Sequence, residues 1–256
     1  MKVLSIVNLK GGVGKTATSC NLAYLLSQQG YRTLVIDLDA QANASRQLGV
    51  PITYAGKTVF DVFIGRNGIK HPISDVIFKT EYQNLYIAPS SFDFVGAEFL
   101  LKNEPQLSAE YRIKNTLDEI REDFDFALID CPPALGDFVL NAMVTSDLII
   151  APTFADDASL EGLSRVLTMK NQVQKSIGIN LRMKALSTMW DHTKNCRDTR
   201  NKLIAAFSEN DIFQTCIRRG TAVPSSKSAP ACYSFPKSKP ALDYRSLVEE
   251  VLADVQ

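Results

Sequence analysis

The stretch Asn8-Leu9-Lys10-Gly11-Gly12-Val13-Gly14-Lys15-Thr16 limits what this chain can become more than any other. A short apolar run, Val3-Leu4-Ser5-Ile6-Val7, precedes it. Ala17 to Leu26 follows, with apolar residues recurring every three or four positions. Strand, glycine-rich turn and helix in that order form the setting of a phosphate-binding loop. Gly11, Gly12 and Gly14 let the backbone curl until successive N–H groups face one anion. The positive end of the following helix adds to the same field. Lys15 is then placed to reach the β- and γ-phosphates of a nucleotide, and the Thr16 hydroxyl to hold Mg²⁺.

The rest of the chain alternates apolar runs with helical patterns. Thr33–Asp37, Asn84–Ser90, Phe124–Asp130, Leu148–Pro152, Met183–Met189 and Ile212–Ile217 read as strands. Helical periodicity covers 106–123, Leu135–Ser146, Asp156 to about Lys175, Thr193–Phe207 and Leu242–Val255, and Thr58 reads as the cap of a further helix. Gly220–Pro240, rich in Ser, Pro and Lys, reads as an ordered surface loop. Strands that are apolar at nearly every position imply burial on both faces. The fold class that follows is α/β: a P-loop NTPase with a mostly parallel twisted sheet and helices on both faces. With no internal repeat and no linker-like break, residues 1–256 are expected to form a single domain.

Two acidic strand ends complete the chemistry. Thr33–Asp37 runs into Asp37-Leu38-Asp39-Ala40-Gln41-Ala42-Asn43, where the open-sheet rule puts ligands. Phe126-Ala127-Leu128-Ile129-Asp130 ends in a carboxylate followed by Cys131-Pro132-Pro133. Beside a phosphate loop, Asp130 would hold the magnesium through water. Cys131 reads as a buried thiol, because no histidine lies near it in sequence. The five cysteines are scattered without a C-x-x-C pair, which argues for a reducing cytoplasm and against a disulfide frame, zinc site or iron–sulfur cluster. No apolar run approaches membrane-spanning length, and the N-terminus lacks a signal-peptide layout.

Formal charge is zero overall but uneven. Arg165 to Arg245 holds 15 Lys and Arg against 5 Asp and Glu, an excess of +10, so the remainder carries −10. A basic C-terminal third points to a polyanion-facing surface.

The loop departs from the general G-x-x-x-x-G-K-[ST] pattern, with Leu9 in place of glycine and Lys10 at its start. Lys10-Gly11-Gly12-Val13-Gly14-Lys15-Thr16 resembles the deviant phosphate loop of the ParA/MinD family of ATPases. Asp37 to Asn43 resembles that family's D-x-D-P-Q-x-N stretch, with Ala40 replacing proline. Leu160-Glu161-Gly162-Leu163 resembles its L-E-G-L, and Pro89-Ser90 follows a strand as in relatives. The likeness runs from Lys2 to the terminal helix and is closest to ParA-type partition ATPases.

That resemblance implies an ATP- and Mg²⁺-dependent switch. Lys10, Lys15 and Asp39 would be catalytic, with Lys10 reaching the partner's phosphates in an ATP-bound homodimer and Asp39 positioning water. Lys10, Gly11, Gly12, Val13, Gly14, Lys15, Thr16 and Ala17 would hold the phosphates, and Arg218 with Gly220 the purine. Thr16, Asp39 and Asp130 would serve the metal. The ATP form would bind DNA non-specifically, with Lys194, Arg197, Arg200, Arg219 and Lys227 as candidate contacts. A ParB-like partner would stimulate an otherwise slow hydrolysis, moving a plasmid, a chromosome region or a protein cargo through a cytoplasmic, nucleoid-associated cycle. Two departures stand out: Thr193-Lys194-Asn195 replaces Arg-Thr-Asn, and Arg218-Arg219-Gly220-Thr221-Ala222 replaces Pro-Arg-Asn-x-Arg.

The rival readings are a MinD-like membrane ATPase and a metabolic ATP-dependent ligase of the same superfamily. The end of the chain, Glu249-Glu250-Val251-Leu252-Ala253-Asp254-Val255-Gln256, is acidic and lacks the basic amphipathic character that lipid insertion needs, so no membrane partner is expected. A DNA-reading domain ahead of the phosphate loop is not expected either, since the loop begins within the first ten residues.

Overall fold

A computed structural model describes residues 1–51, 56–101, 111–191, 193–225 and 228–255. Its strands are β1 Lys2–Ile6, β2 Thr33–Asp37, β3 Phe78–Lys79, β4 Leu85–Ala88, β5 Phe126–Asp130, β6 Leu148–Thr153, β7 Met183–Trp190 and β8 Ile212–Arg218. They form one sheet in the order β3-β4-β2-β5-β1-β6-β7-β8. All neighbours are parallel except the short edge strand β3, which runs antiparallel to β4. β2, β5 and β6 are buried at every position, as strands covered on both faces must be.

The helices are α1 Lys15–Gln28, α2 Asn43–Gln47, α3 Val59–Phe63, α4 Ala97–Leu101, α5 Arg112–Asp118, α6 Asp137–Thr145, α7 Asp157–Ile177, α8 Lys194–Ala206, α9 Ala222–Ser225, α10 Ala231–Ser234 and α11 Lys239–Val255. One apolar layer packs Leu22, Leu26, Tyr244, Leu247 and Val251 of α1 and α11 against Leu4, Ile6, Leu128 and Ile150. The other packs α3 to α7 against Val3, Leu34, Ile129 and Ile149. α11 turns Leu247, Val248, Val251, Leu252 and Val255 inward. Each such side chain contributes roughly 1.5–3 kcal/mol of burial, so this helix is a structural member of the core.

β8 lies at the sheet edge, and its main-chain groups are covered by side chains. Glu250 accepts from Gln214 N at 2.8 Å and Thr215 N at 2.7 Å. The Arg200 guanidinium reaches the Phe213 and Gln214 carbonyls at 3.3 and 3.4 Å. Covering an edge in this way blocks pairing with a foreign strand.

Most expected elements are found within a residue or three of their expected ends. Thr58 caps α3 in a reciprocal box with Asp61. Gly220–Pro240 is the main departure. It is not a plain loop but carries α9 and α10, and Pro230, Ala231 and Cys232 are buried. Cys232 N donates to Asn21 Oδ1 of α1 at 2.8 Å, which fixes this segment to the phosphate-loop helix. Of the helix expected over 106–123, α5 is its described part; 106–110 lies outside the described residues.

Candidate nucleotide site

The glycine loop leaves β1 at the carboxyl edge of the sheet, beside the ends of β5 and β6. Gly12 and Gly14 adopt left-handed φ of 76° and 93°, conformations in which a side chain is strained. α1 then starts at Lys15 with no side-chain cap and no acidic residue in its first turn. Its first N–H groups therefore face an open concavity that suits an anion. A Cβ at Gly11 or Gly12 would meet nothing within 4 Å, so the cradle has room beside the backbone.

Lys15 is buried and folds back over the loop, its Nζ donating to the Lys10 carbonyl at 2.9 Å. Burial lowers its pKa, and the nearby Asp130 carboxylate opposes that shift. Thr16 Oγ1 donates to Asp130 Oδ2 at 2.8 Å and Ser19 Oγ to Asp130 Oδ1 at 2.9 Å. Asp130 is thereby locked one turn from the loop. Burial pushes its pKa up to about 6, against the pull of those two hydroxyls.

Asp37 stands opposite Asp130 in the β2–β5 register. It accepts from Ser45 N at 2.9 Å, Ser45 Oγ at 2.7 Å and Asp39 N at 3.1 Å. Burial first, and the Asp130 charge second, push its pKa up to about 7. Asp37 thus anchors both ends of the turn that carries Asp39, which is half-buried and caps Gln41 N at 2.9 Å. Among the described residues no three His, Cys, Asp or Glu side chains form a protein-only metal cage. The donor set of Thr16, Asp130 and Asp39 fits Mg²⁺, which takes a few protein oxygens and completes its shell with phosphate and water. Cys131 is fully buried and burial pushes its thiol up, so it is no nucleophile.

Lys10 takes a different direction from Lys15. Its ammonium pairs with Asp156 Oδ2, while Asp156 Oδ1 caps α7 by accepting from Ser159 N at 2.7 Å. Asn8 ties the loop to β6 through Pro152 O at 2.7 Å and receives Lys10 N at 3.0 Å. α7 approaches so closely that a Cβ at Gly162 would sit 2.7 Å from Asn8 Oδ1. The glycine of Leu160-Glu161-Gly162-Leu163 is therefore a contact between helix and loop.

A second, mostly apolar cavity of about 250 Å³ adjoins the loop. Gly14 and Ala17 form one wall, Thr188 and Met189 at the end of β7 another, and Ile217–Gly220 with Val223, Pro224 and Tyr244 the remainder. Thr188 Oγ1 donates to Val13 O at 2.9 Å and Thr153 O at 3.1 Å, joining this cavity to the phosphate loop. Arg218 and Gly220, the residues expected at a purine, are among those that line this cavity. The Arg218 guanidinium, however, is held by Asp243. Thr188, Met189, Val223, Pro224 and Tyr244 were not legible as site residues, since no motif marks them.

The cations expected at DNA divide into groups. Lys194 and Arg197 are exposed on α8. Arg200 is half-buried and turned onto β8, with Cys216 Sγ at 3.0 Å as well as the two carbonyls, so its guanidinium is engaged within the chain. Arg219 is exposed and lies over the Phe154 ring at 5.5 Å. Lys227 lies outside the described residues.

A family model described as an AAA domain matches residues 1–183. The sporulation initiation inhibitor protein Soj of Bacillus subtilis is 33% identical over 256 residues, covering 99% of both chains. The chain belongs to the ParA/Soj family of ATPases. The chromosome partitioning protein ParA of Caulobacter vibrioides is 32% identical, over 99% of this chain and 94% of that one. Among solved structures, cobyrinic acid a,c-diamide synthase from Mycobacterium smegmatis with bound ATP analog and magnesium superposes with a TM-score of 0.85. It is 28% identical over 98% of this chain and 94% of that one. The glycine loop, the Asp39 turn and Asp130 of this ParA/Soj-type chain all lie within the matched residues 1–183.

Proposed function

We propose that this chain binds Mg²⁺–ATP, dimerises around it, binds DNA without sequence preference in that state, and positions a plasmid, chromosome region or protein cargo through partner-stimulated hydrolysis. The observation that carries the reading is the divergence of the two loop lysines. Lys15 closes over its own loop, whereas Lys10 lies on Asp156 at the rim with its side chain about one-third exposed. One lysine belongs to the resident nucleotide; the other is available to a nucleotide held by a second copy.

In this reading Thr16, Asp39 and Asp130 would hold Mg²⁺, which would supply positive charge beside the phosphates. The loop amides and Lys15 neutralise the phosphate oxygens. Asp39 orients water, its turn fixed by the Asp37–Ser45 bonds. Lys10 leaves Asp156 and acts like an arginine finger on the partner's nucleotide. Lys194, Arg197 and Arg219 supply phosphate contacts to DNA. Arg200 is left out of that set, because withdrawing it would uncover the β8 edge. Kinship with Soj and ParA supports the cargo reading, and the buried apolar face of α11 speaks against that helix entering a lipid interface. Among the described residues no helix is long and apolar enough to cross a membrane.

The test is Lys10→Ala, assayed with DNA and the partner protein. ATP is expected to bind as before, while turnover falls by about 1,000-fold or more, the scale of a lost finger residue. Near-normal turnover refutes the role. DNA affinity of the ATP form should fall steeply with salt, and a flat salt response counts against phosphate contacts. The likeness to a diamide synthase favours a second reading, an amide-forming ligase. ATP turnover that requires a carboxylic acid and an amine donor, and ignores DNA, would select it.

A further inference from the structure

We infer that Asp243 is a positioning residue for the nucleobase: by clamping Arg218 it holds the Arg218–Gly220 turn in the shape that forms the base cavity. The inference rests on the nucleotide reading above and concerns Asp243, a residue that no motif marks.

Asp243 Oδ2 accepts from Arg218 N at 2.8 Å, so the carboxylate grips the backbone at the last residue of β8. The same carboxylate takes the Arg218 side chain, from Nε at 3.0 Å and from Nη2 at 2.6 Å. A fork of this kind fixes direction as well as distance. Asp243 is 9% exposed and sits in the second turn of α11, a helix packed into the core along its length. The clamp thus joins a rigid helix to a turn. The turn is the cavity wall: Arg218, Arg219 and Gly220 all line it. A Cβ at Gly220 would lie 3.0 Å from Pro240 Cγ of α11, so the turn is seated against the start of that helix. Tyr244, next to Asp243, also lines the cavity and its hydroxyl lies 3.3 Å from Thr18 Oγ1 on α1.

The residue pair has a physical logic. Arg218 brings an N–H that must be bonded when buried and a backbone free to turn. Asp243 answers both needs. The Arg218 guanidinium is therefore a strut behind the cavity wall, and the purine is met by the wall itself.

The clamp touches no part of the phosphate cradle, which separates two affinities. Asp243→Ala is to be compared with the parent chain for binding of Mg²⁺–ATP and of Mg²⁺–tripolyphosphate by equilibrium dialysis, with thermal unfolding as the check on folding. ATP affinity is expected to fall about tenfold while tripolyphosphate affinity stays within about twofold. An equal loss for both probes, or no loss for either, overturns the inference. Should Asp243→Ala fail to fold, Arg218→Gln keeps the backbone bond and removes the fork. It is expected to lower ATP affinity about threefold with tripolyphosphate unmoved, and an unchanged ATP affinity overturns the inference. A parent chain that binds ATP no better than tripolyphosphate would instead defeat the nucleotide reading itself.

Discussion

The two ends of the candidate site are built in opposite ways. The phosphate end comes from nine consecutive residues, Asn8 to Thr16, whose main-chain amides and glycines do most of the work. The base end is gathered from α1, the end of β7, the turn after β8, α9 and α11, so residues as distant as Gly14 and Tyr244 share one cavity. A phosphate loop functions through backbone geometry, which a short motif specifies. A base cavity functions through shape, which only the assembled sheet and its flanking helices specify. The first should be sensitive to single residues within the motif, the second to residues far from it.

Three substitutions can break or sharpen that contrast. Lys15→Met removes a buried charge from the phosphate end. ATP and tripolyphosphate affinities should fall together, by about 100-fold, since charge-assisted contacts to phosphate are among the strongest available. A loss confined to ATP would erase the distinction between the ends. Val223→Phe should fill the cavity from its α9 wall, lowering ATP affinity about tenfold and leaving tripolyphosphate binding unchanged in the same dialysis assay. The smallest effect concerns stability. Asp37 and Asp130 keep their protons to about pH 7 and about 6 in the folded chain, mainly through burial. Unfolded aspartates titrate near pH 4, so between roughly pH 4 and 7 the folded chain binds more protons and its stability falls as pH rises. The nucleotide-free chain should melt several degrees lower at about pH 8 than at about pH 5, and Asp37→Asn should flatten that slope. A melting temperature that rises over the same interval would contradict burial as the dominant influence on this pair.

The same contrast explains what could be read in advance. Strand, loop and α1 were legible because glycine spacing and helical period are local. Asp130 was legible because an apolar strand ending in Asp beside such a loop has few alternatives. Arg200 was expected at DNA from its place on a basic helix, and only the β8 edge shows that two carbonyls and the Cys216 thiol lie within its reach. Gly220–Pro240 looked like a loop because Ser, Pro and Lys dominate it, whereas Ala231 and Cys232 pack beneath α1 through the distant Asn21 bond. β3, two residues long, is too short to show any alternation. Asp37 and Ser45 lie eight positions apart, and nothing in their spacing announces that one fixes the turn on which the other's neighbours depend.

The Glu250 carboxylate over Gln214 and Thr215 has a consequence for assembly. With those amides occupied, this border of the molecule cannot template another chain, so copies that gather at high local density have no route to open-ended ribbons along it.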